Sequence, residues 1–187
     1  MKEFFSKHKN FVFIMASALF FVIVGYIIMF TPLGTVAAGK NIEVMDGKWF
    51  YPKSYVMETL TALGEQGRAE YTTFHIIDFF FLASYCLVMM SLTKLVAPAK
   101  MRWAWVVFPL IPATFDLVEN TMIEVAIASF PNVSNGLSSA ISIFTTIKWS
   151  TGILWFAVFN VLLILNIIEL VRKYRKAKKE RELKENE

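Results

Sequence analysis

The chain reads as an all-α integral membrane protein: four transmembrane helices in a bundle, topped on the extracytoplasmic side by a small hairpin-plus-helix cap. Three observations predict this class. Of 187 residues 56% are hydrophobic and 18 are Phe, and mean hydropathy is positive, far from the balance of a soluble domain. Four apolar stretches, Phe11–Phe30, Thr72–Val96, Trp103–Ser129 and Thr146–Val171, are long enough for the ~20 helical residues that cross a hydrocarbon layer. Finally, 14 of the 19 basic residues gather in three places that alternate with the outer connections. These are the N-terminus (Lys2, Lys7, Lys9), the second connection (Lys94, Lys100, Arg102) and the tail after Val171. The positive-inside rule puts all three on the cytoplasmic side of a plasma membrane, with both termini inside.

The first stretch follows a basic MKEFFSKHKN and precedes the small residues of TVAAG, which together imitate a secretory signal. Its apolar run is too long for an h-region, and losing it would leave three spans that break the charge rule, so it reads as an uncleaved helix. Residues 31–71 form the cap. In NIEVMDGKWFY, Asp46-Gly47 between short runs with β-branched and aromatic residues is the usual signal for a type I′ hairpin. Two strands alone are marginal in water and need a partner. A helix starting at Pro52–Ser54 supplies one, with Tyr55, Val56, Leu60 and Leu63 towards one side, before Gly64 and Gly67 punctuate the chain.

The third span contains Pro109 and Pro112, which predict a kink rather than a break, since neighbouring groups can re-satisfy the freed carbonyls. The connection FPNVSNGLSSAI turns and re-enters helix near Leu137. Residues 172–187 mix eight basic with four acidic residues and read as a fraying helical extension that anchors topology on anionic headgroups. Nucleic acid is not an expected partner, because no soluble domain is long enough to carry it. Cys86 is alone and intramembrane, so neither a disulfide framework nor a cysteine metal site can be built. Trp103, Trp105 and Trp149 read as interface anchors, and Asn160 and Asn166 as interhelical hydrogen-bond partners.

Polar residues inside the spans carry the functional question. In the second helix Arg68, Tyr71, His75, Asp78 and Tyr85 share a face, in the third Pro112, Asp116, Glu119, Asn120 and Glu124, and in the fourth Thr145, Lys148, Trp149, Gly152 and Asn160. At about 1.5 Å per residue, Asp78, Asp116, Glu119 and Tyr26 all lie about 20–24 Å from the inner boundary. Lys148 can lower its stem to that level. A carboxylate at such depth costs roughly 3 kcal/mol even on gentle scales, so something must offset it.

One reading closes Asp78, Asp116 and Glu119 on Lys148 and Arg68, with Asn120, His75 and the tyrosines completing a structural network. The other leaves a site: three carboxylates against one central and one peripheral cation call for a proton, a cation or a cationic amphiphile. A lipid-modifying enzyme is a third alternative, with a carboxylate pair and His75 as acid and base. Against it stand the absence of a Gly-x-Ser-x-Gly or phosphate-cradling loop and too few histidines for a metal centre, so no catalytic residue, metal or cofactor is expected. Four helices leave no lumen, so a conducting pore would need a homo-oligomer, on which the sequence is silent.

LGEQGRAEY (Leu63–Tyr71) leading to Asp78, FDLVEN in the third helix and FTTIKW opening the fourth together resemble a group of small, uncharacterised four-helix bacterial membrane proteins with a D-x-x-E-N motif. The resemblance runs from the Asp-Gly turn to Trp149. It implies that Arg68, Tyr71, Asp78, Asp116, Glu119, Asn120, Lys148 and Trp149 form one constellation, and it implies no activity. A claudin-like bundle is similar in outline, but the paired outer cysteines of that pattern are missing here.

Overall fold

A computed structural model describes residues 9–33 and 42–185. It consists of α1 (Lys9–Met29), a 3₁₀ turn (Met45–Gly47), α2 (Ser54–Val96), a second 3₁₀ turn (Ala99–Met101), α3 (Arg102–Val107), α4 (Leu110–Ser129) and α5 (Asn135–Glu185). Four segments are long and apolar enough to cross a membrane: Phe11–Met29, Ser54–Val96, Ala99–Ser129 and Asn135–Leu183. No strand occurs among the described residues, so the expected hairpin at Asp46-Gly47 is corrected. An Asp-Gly pair satisfies a 3₁₀ turn as readily as a type I′ turn, and here Gly47 and Lys48 donate back to Val44 and Met45. Residues 34–41 of the expected cap, and Lys2 and Lys7, lie outside the described residues.

Helix α1 lies along α2, α4 lies along α5, and α2 also touches α4 and α5. Nearly every side chain of α1 is apolar, and most of them face outwards, with Ser17 and Val24 the buried exceptions within the helix. That pattern suits a helix whose outer face meets lipid rather than protein.

The chain keeps a helical path through the two prolines. The backbone stays helical at Phe108 (φ −53°, ψ −39°) and Pro109 (φ −57°, ψ −19°), where α3 passes into α4. Pro109 offers no N–H to Trp105, and Pro112 none to Phe108. Each orphaned carbonyl is taken one residue earlier: Phe108 N–H donates to Trp105 at 3.3 Å and Ile111 N–H to Phe108 at 3.0 Å. Local tightening thus re-satisfies the backbone at the kink.

Helix α5 begins at Asn135, two residues before the expected position, because the Ser134 hydroxyl accepts from the Leu137 N–H at 3.1 Å as an N-cap. It continues without interruption to Glu185, so the tail that was expected to fray is helical through the described residues. Ion pairs at i,i+4 support its exposed end, Lys173 with Glu169 at 2.6 Å and Lys178 with Glu182 at 3.7 Å. Its 51 residues span about 77 Å, well beyond one bilayer.

Leu33, Met45, Tyr51, Val56, Leu60, Leu63, Tyr71, Ile123, Ala126 and Ile141 form a buried apolar cluster at the end of the molecule where the Met45 turn meets α2, α4 and α5. The segment reaches it because Gly64 bends α2 at φ 70°, ψ −174°, a backbone state open in practice to glycine alone. That bend turns the amino-terminal arm of α2, with Val56, Leu60 and Leu63, onto the cluster. Gly64→Ala is expected to lower stability by about 1–3 kcal/mol. Thermal unfolding in detergent checks this, and an unchanged melting temperature would show that the bend can be made by other residues.

Candidate functional site

The apolar cluster sits beside a polar one built from α2, α4, α5 and the Met45 turn. Lys148 of α5 is its hub. The ammonium pairs with Glu119 Oε2 and lies 3.2 Å from Asp116 Oδ1, with all three side chains almost fully withdrawn from the surface. Asp116 and Glu119 fall three residues apart on α4, so one cation one helix away can face both. The second oxygen of Asp116 accepts from the Tyr85 hydroxyl at 2.7 Å, and that of Glu119 accepts from Thr145. Thr145 shares a 2.8 Å hydrogen bond with the Tyr51 hydroxyl, and the Tyr51 carbonyl accepts from Ser142 at 2.5 Å. Asp78 lies on the neighbouring face of α2 and accepts from the Asn120 amide at 2.6 Å. The Asn120 carbonyl oxygen is buried and has no hydrogen-bond partner among the described residues.

A second group stands next to the first. His75 is 1% exposed; its Nδ1 is hydrogen-bonded to Glu124 Oε1 at 2.5 Å, and its Nε2 faces Asp46 Oδ1 at 3.6 Å. The Tyr71 ring stacks on the imidazole at 4.6 Å between centroids, and its hydroxyl donates to Asp46 Oδ2 while accepting from the Met45 N–H at 3.1 Å. Thr72 donates to Glu124 at 2.9 Å. Trp149, itself 40% exposed, donates its indole N–H to the Asp46 carbonyl at 3.3 Å.

Of the residues named from sequence, Asp78, Asp116, Glu119, Asn120, Lys148, Tyr71, His75 and Trp149 are brought into these two groups. Two are not. Tyr26 is 65% exposed and tilts against Phe30, so its matching depth on α1 came with the wrong rotational phase. Among the described residues Arg68 pairs with no carboxylate; it donates to the Leu60 carbonyl at 2.9 Å and lies over the Phe130 ring, using its charge to close the Gly64 bend. Asn166 bonds across helices to the Val96 carbonyl at 2.6 Å, whereas Asn160 bonds back along its own helix to Phe156. Asp46 was missed as a site residue because its pairing with glycine reads as a solvent-facing turn. Glu124 and Tyr85 were visible on the correct faces, but their contacts depend on interhelical phase.

Asp46 lies outside the spans, and its chemistry follows from its partners. Burial by itself would raise its carboxyl, but the hydrogen bond and charge of His75, the charge of Lys148 and the Tyr71 hydroxyl together hold it well below the usual carboxylate range. Burial likewise pushes the Tyr51 phenol upward, so it stays a neutral donor beside Thr145. No protein-family model, curated protein or solved structure matches this chain, which leaves the geometry as the guide to function.

Two outcomes follow. Lys148→Met leaves Asp116 and Glu119 buried without their cation and is expected to cost about 3–5 kcal/mol, with part recovered in Lys148→Met/Glu119→Gln. Chemical unfolding of the three proteins in detergent measures it. For Asp46 the folded carboxyl titrates below its unfolded value of 3.8, so its contribution is complete above that pH and is lost as pH falls through the folded value. Trp49 fluorescence is expected to report release of the Met45 turn only in strong acid, and Asp46→Asn is expected to remove that transition.

Proposed function

We propose that this chain is a multi-pass membrane protein whose four long helices form a bundle, with residues 31–71 as an extracytoplasmic cap and both termini in the cytoplasm. The positive-inside pattern supports the orientation, and the buried cluster under the Met45 turn supports the cap. Its acidic centre binds a cation or a cationic amphiphile, as a binding or transport protein does. The resemblance to small four-helix proteins with a D-x-x-E-N motif is consistent with one shared constellation, since Asp116, Glu119 and Asn120 all turn inward together.

The observation that carries this reading is a charge imbalance. Asp46, Asp78, Asp116, Glu119 and Glu124 crowd around one lysine and one histidine. Even with His75 protonated, carboxylates outnumber cations. Asp78 has a neutral amide as its hydrogen-bond donor, and the unpaired Asn120 oxygen adds an acceptor beside it. Asp78 and Asp116 each keep 8% exposure, while Glu119 has none, so the surplus lies at the margin of the network. A guest cation there would relieve both the like-charge repulsion and the burial cost.

A second reading has its own support. Asp116 and Glu119 are both already paired with Lys148, as a structural network that sets helix register would require. One experiment separates the two. Thermal unfolding of the detergent-solubilised protein is measured with sodium, potassium or tetrapropylammonium chloride at constant ionic strength. The binding reading expects one cation to stabilise the protein with saturation, and Asp78→Asn to abolish that increment while folding normally. Equal melting temperatures in all three salts, together with low folded yield of Asp116→Asn, would support the structural reading.

A further inference from the structure

At the other end of the spans, independent of the acidic centre, α1, the end of α2 and the start of α3 enclose a cleft of about 180 Å³. Phe13, Ile14, Ser91, Lys94, Leu95 and Arg102 line it. Phe13 and Ile14 lie at the start of the Phe11–Met29 segment, Lys94 and Leu95 at the end of Ser54–Val96 and Arg102 near the start of Ala99–Ser129, which puts the cleft at the level where spans meet headgroups. Ser91, Lys94 and Leu95 share one face of α2 by their i, i+3, i+4 spacing. The Arg102 guanidinium is steadied at the rim by its Nε bond to the Ala97 carbonyl at 3.4 Å.

Ser91 is the informative residue. It is 3% exposed, and among the described residues its hydroxyl has no hydrogen-bond partner. Other small hydroxyls nearby solve the same problem within their own helix: Ser84 donates to Phe81 and Thr93 to Met89, both at 2.7 Å, and Ser17 of α1 to Phe13 at 2.8 Å. Ser91 is thus a buried donor in a cleft that also presents two cations, an arrangement that matches an oxyanion. Phe13 and Leu95 flank it and are exposed on the helix surface, where an acyl chain would run.

We infer that this cleft binds the phosphate of an anionic phospholipid. Lys94 and Arg102 neutralise the headgroup, Ser91 donates to a phosphate oxygen, and Phe13, Ile14 and Leu95 receive the start of the acyl chains. A basic pocket between helices at the cytoplasmic boundary is a site of this chemistry. It differs from the general attraction of the basic tail by having a fixed stoichiometry and a fixed donor.

The test is native mass spectrometry of the full-length protein released from detergent, titrated with phosphatidylglycerol, phosphatidylcholine or inorganic phosphate. Wild type is expected to retain one phosphatidylglycerol in preference to phosphatidylcholine. Affinity is expected to fall about fivefold for each of Lys94→Gln and Arg102→Gln. It should also fall in Ser91→Ala, a small change that spares the fold, and stay unchanged when Lys176, Lys178 and Lys179 of the tail are replaced by Gln. Equal retention by wild type and the Lys94→Gln/Arg102→Gln protein would overturn the site. So would equal retention of the two lipids by wild type, a comparison that needs no variant. Binding of inorganic phosphate without lipid would overturn the lipid assignment.

Discussion

Lys148 touches Asp116 and Glu119 at once, and it does so where little water remains to screen the charges. In such surroundings an unpaired ion costs several kcal/mol, whereas a well-placed pair recovers most of that cost through attraction and added hydrogen bonds. The neighbouring side chains can be understood as consequences. Tyr85 and Thr145 fill the second oxygens of the two carboxylates, Tyr51 and Ser142 carry the hydrogen bonding on to the segment before α2, and α4 and α5 lie along each other. Rotating any one of these helices by a single residue would break several contacts together, so the ion pair fixes phase as well as energy.

The second polar group uses a different device. There a loop residue, not a helix residue, supplies the acid. Asp46 hangs from a short 3₁₀ turn, and its side chain and carbonyl are held from two helices, by Tyr71 and His75 of α2 and by Trp149 of α5. Because Trp149 follows Lys148 directly, α5 presents a cation to α4 and an indole donor to the Met45 turn from adjacent positions. The two polar groups are therefore mechanically joined through one short piece of α5.

Much of this was readable from residue order. The apolar runs, the helical spacing of the acids and the proline kink follow from local rules that do not need the tertiary fold, and FDLVEN already placed Asp116, Glu119 and Asn120 on one face. Three errors show where local rules end. Tyr26 has the right depth, but α1 is apolar on every side, so the sequence holds no information on which way the tyrosine points. Arg68 looked like a partner for the acids, yet the Gly64 bend turns it to Leu60 and Phe130. Asp46 looked like a turn residue and is one, but its side chain acquires meaning only when Tyr71 and His75, more than twenty positions later, come to meet it. Long-range pairings of that kind depend on how helices are rotated against one another, which periodicity within each helix does not state.

The order of these residues along the chain matters during biogenesis. Asp116 and Glu119 are both synthesised before Lys148, so two acids leave the ribosome ahead of the counterion they share. Until α5 arrives, the contacts between α2 and α4, such as Asn120 with Asp78 and Tyr85 with Asp116, are without the lysine that neutralises Asp116 and Glu119. The last span is then an assembly step as much as an anchor: its arrival delivers the lysine, the threonine and the tryptophan in one stretch of five residues, Thr145–Trp149.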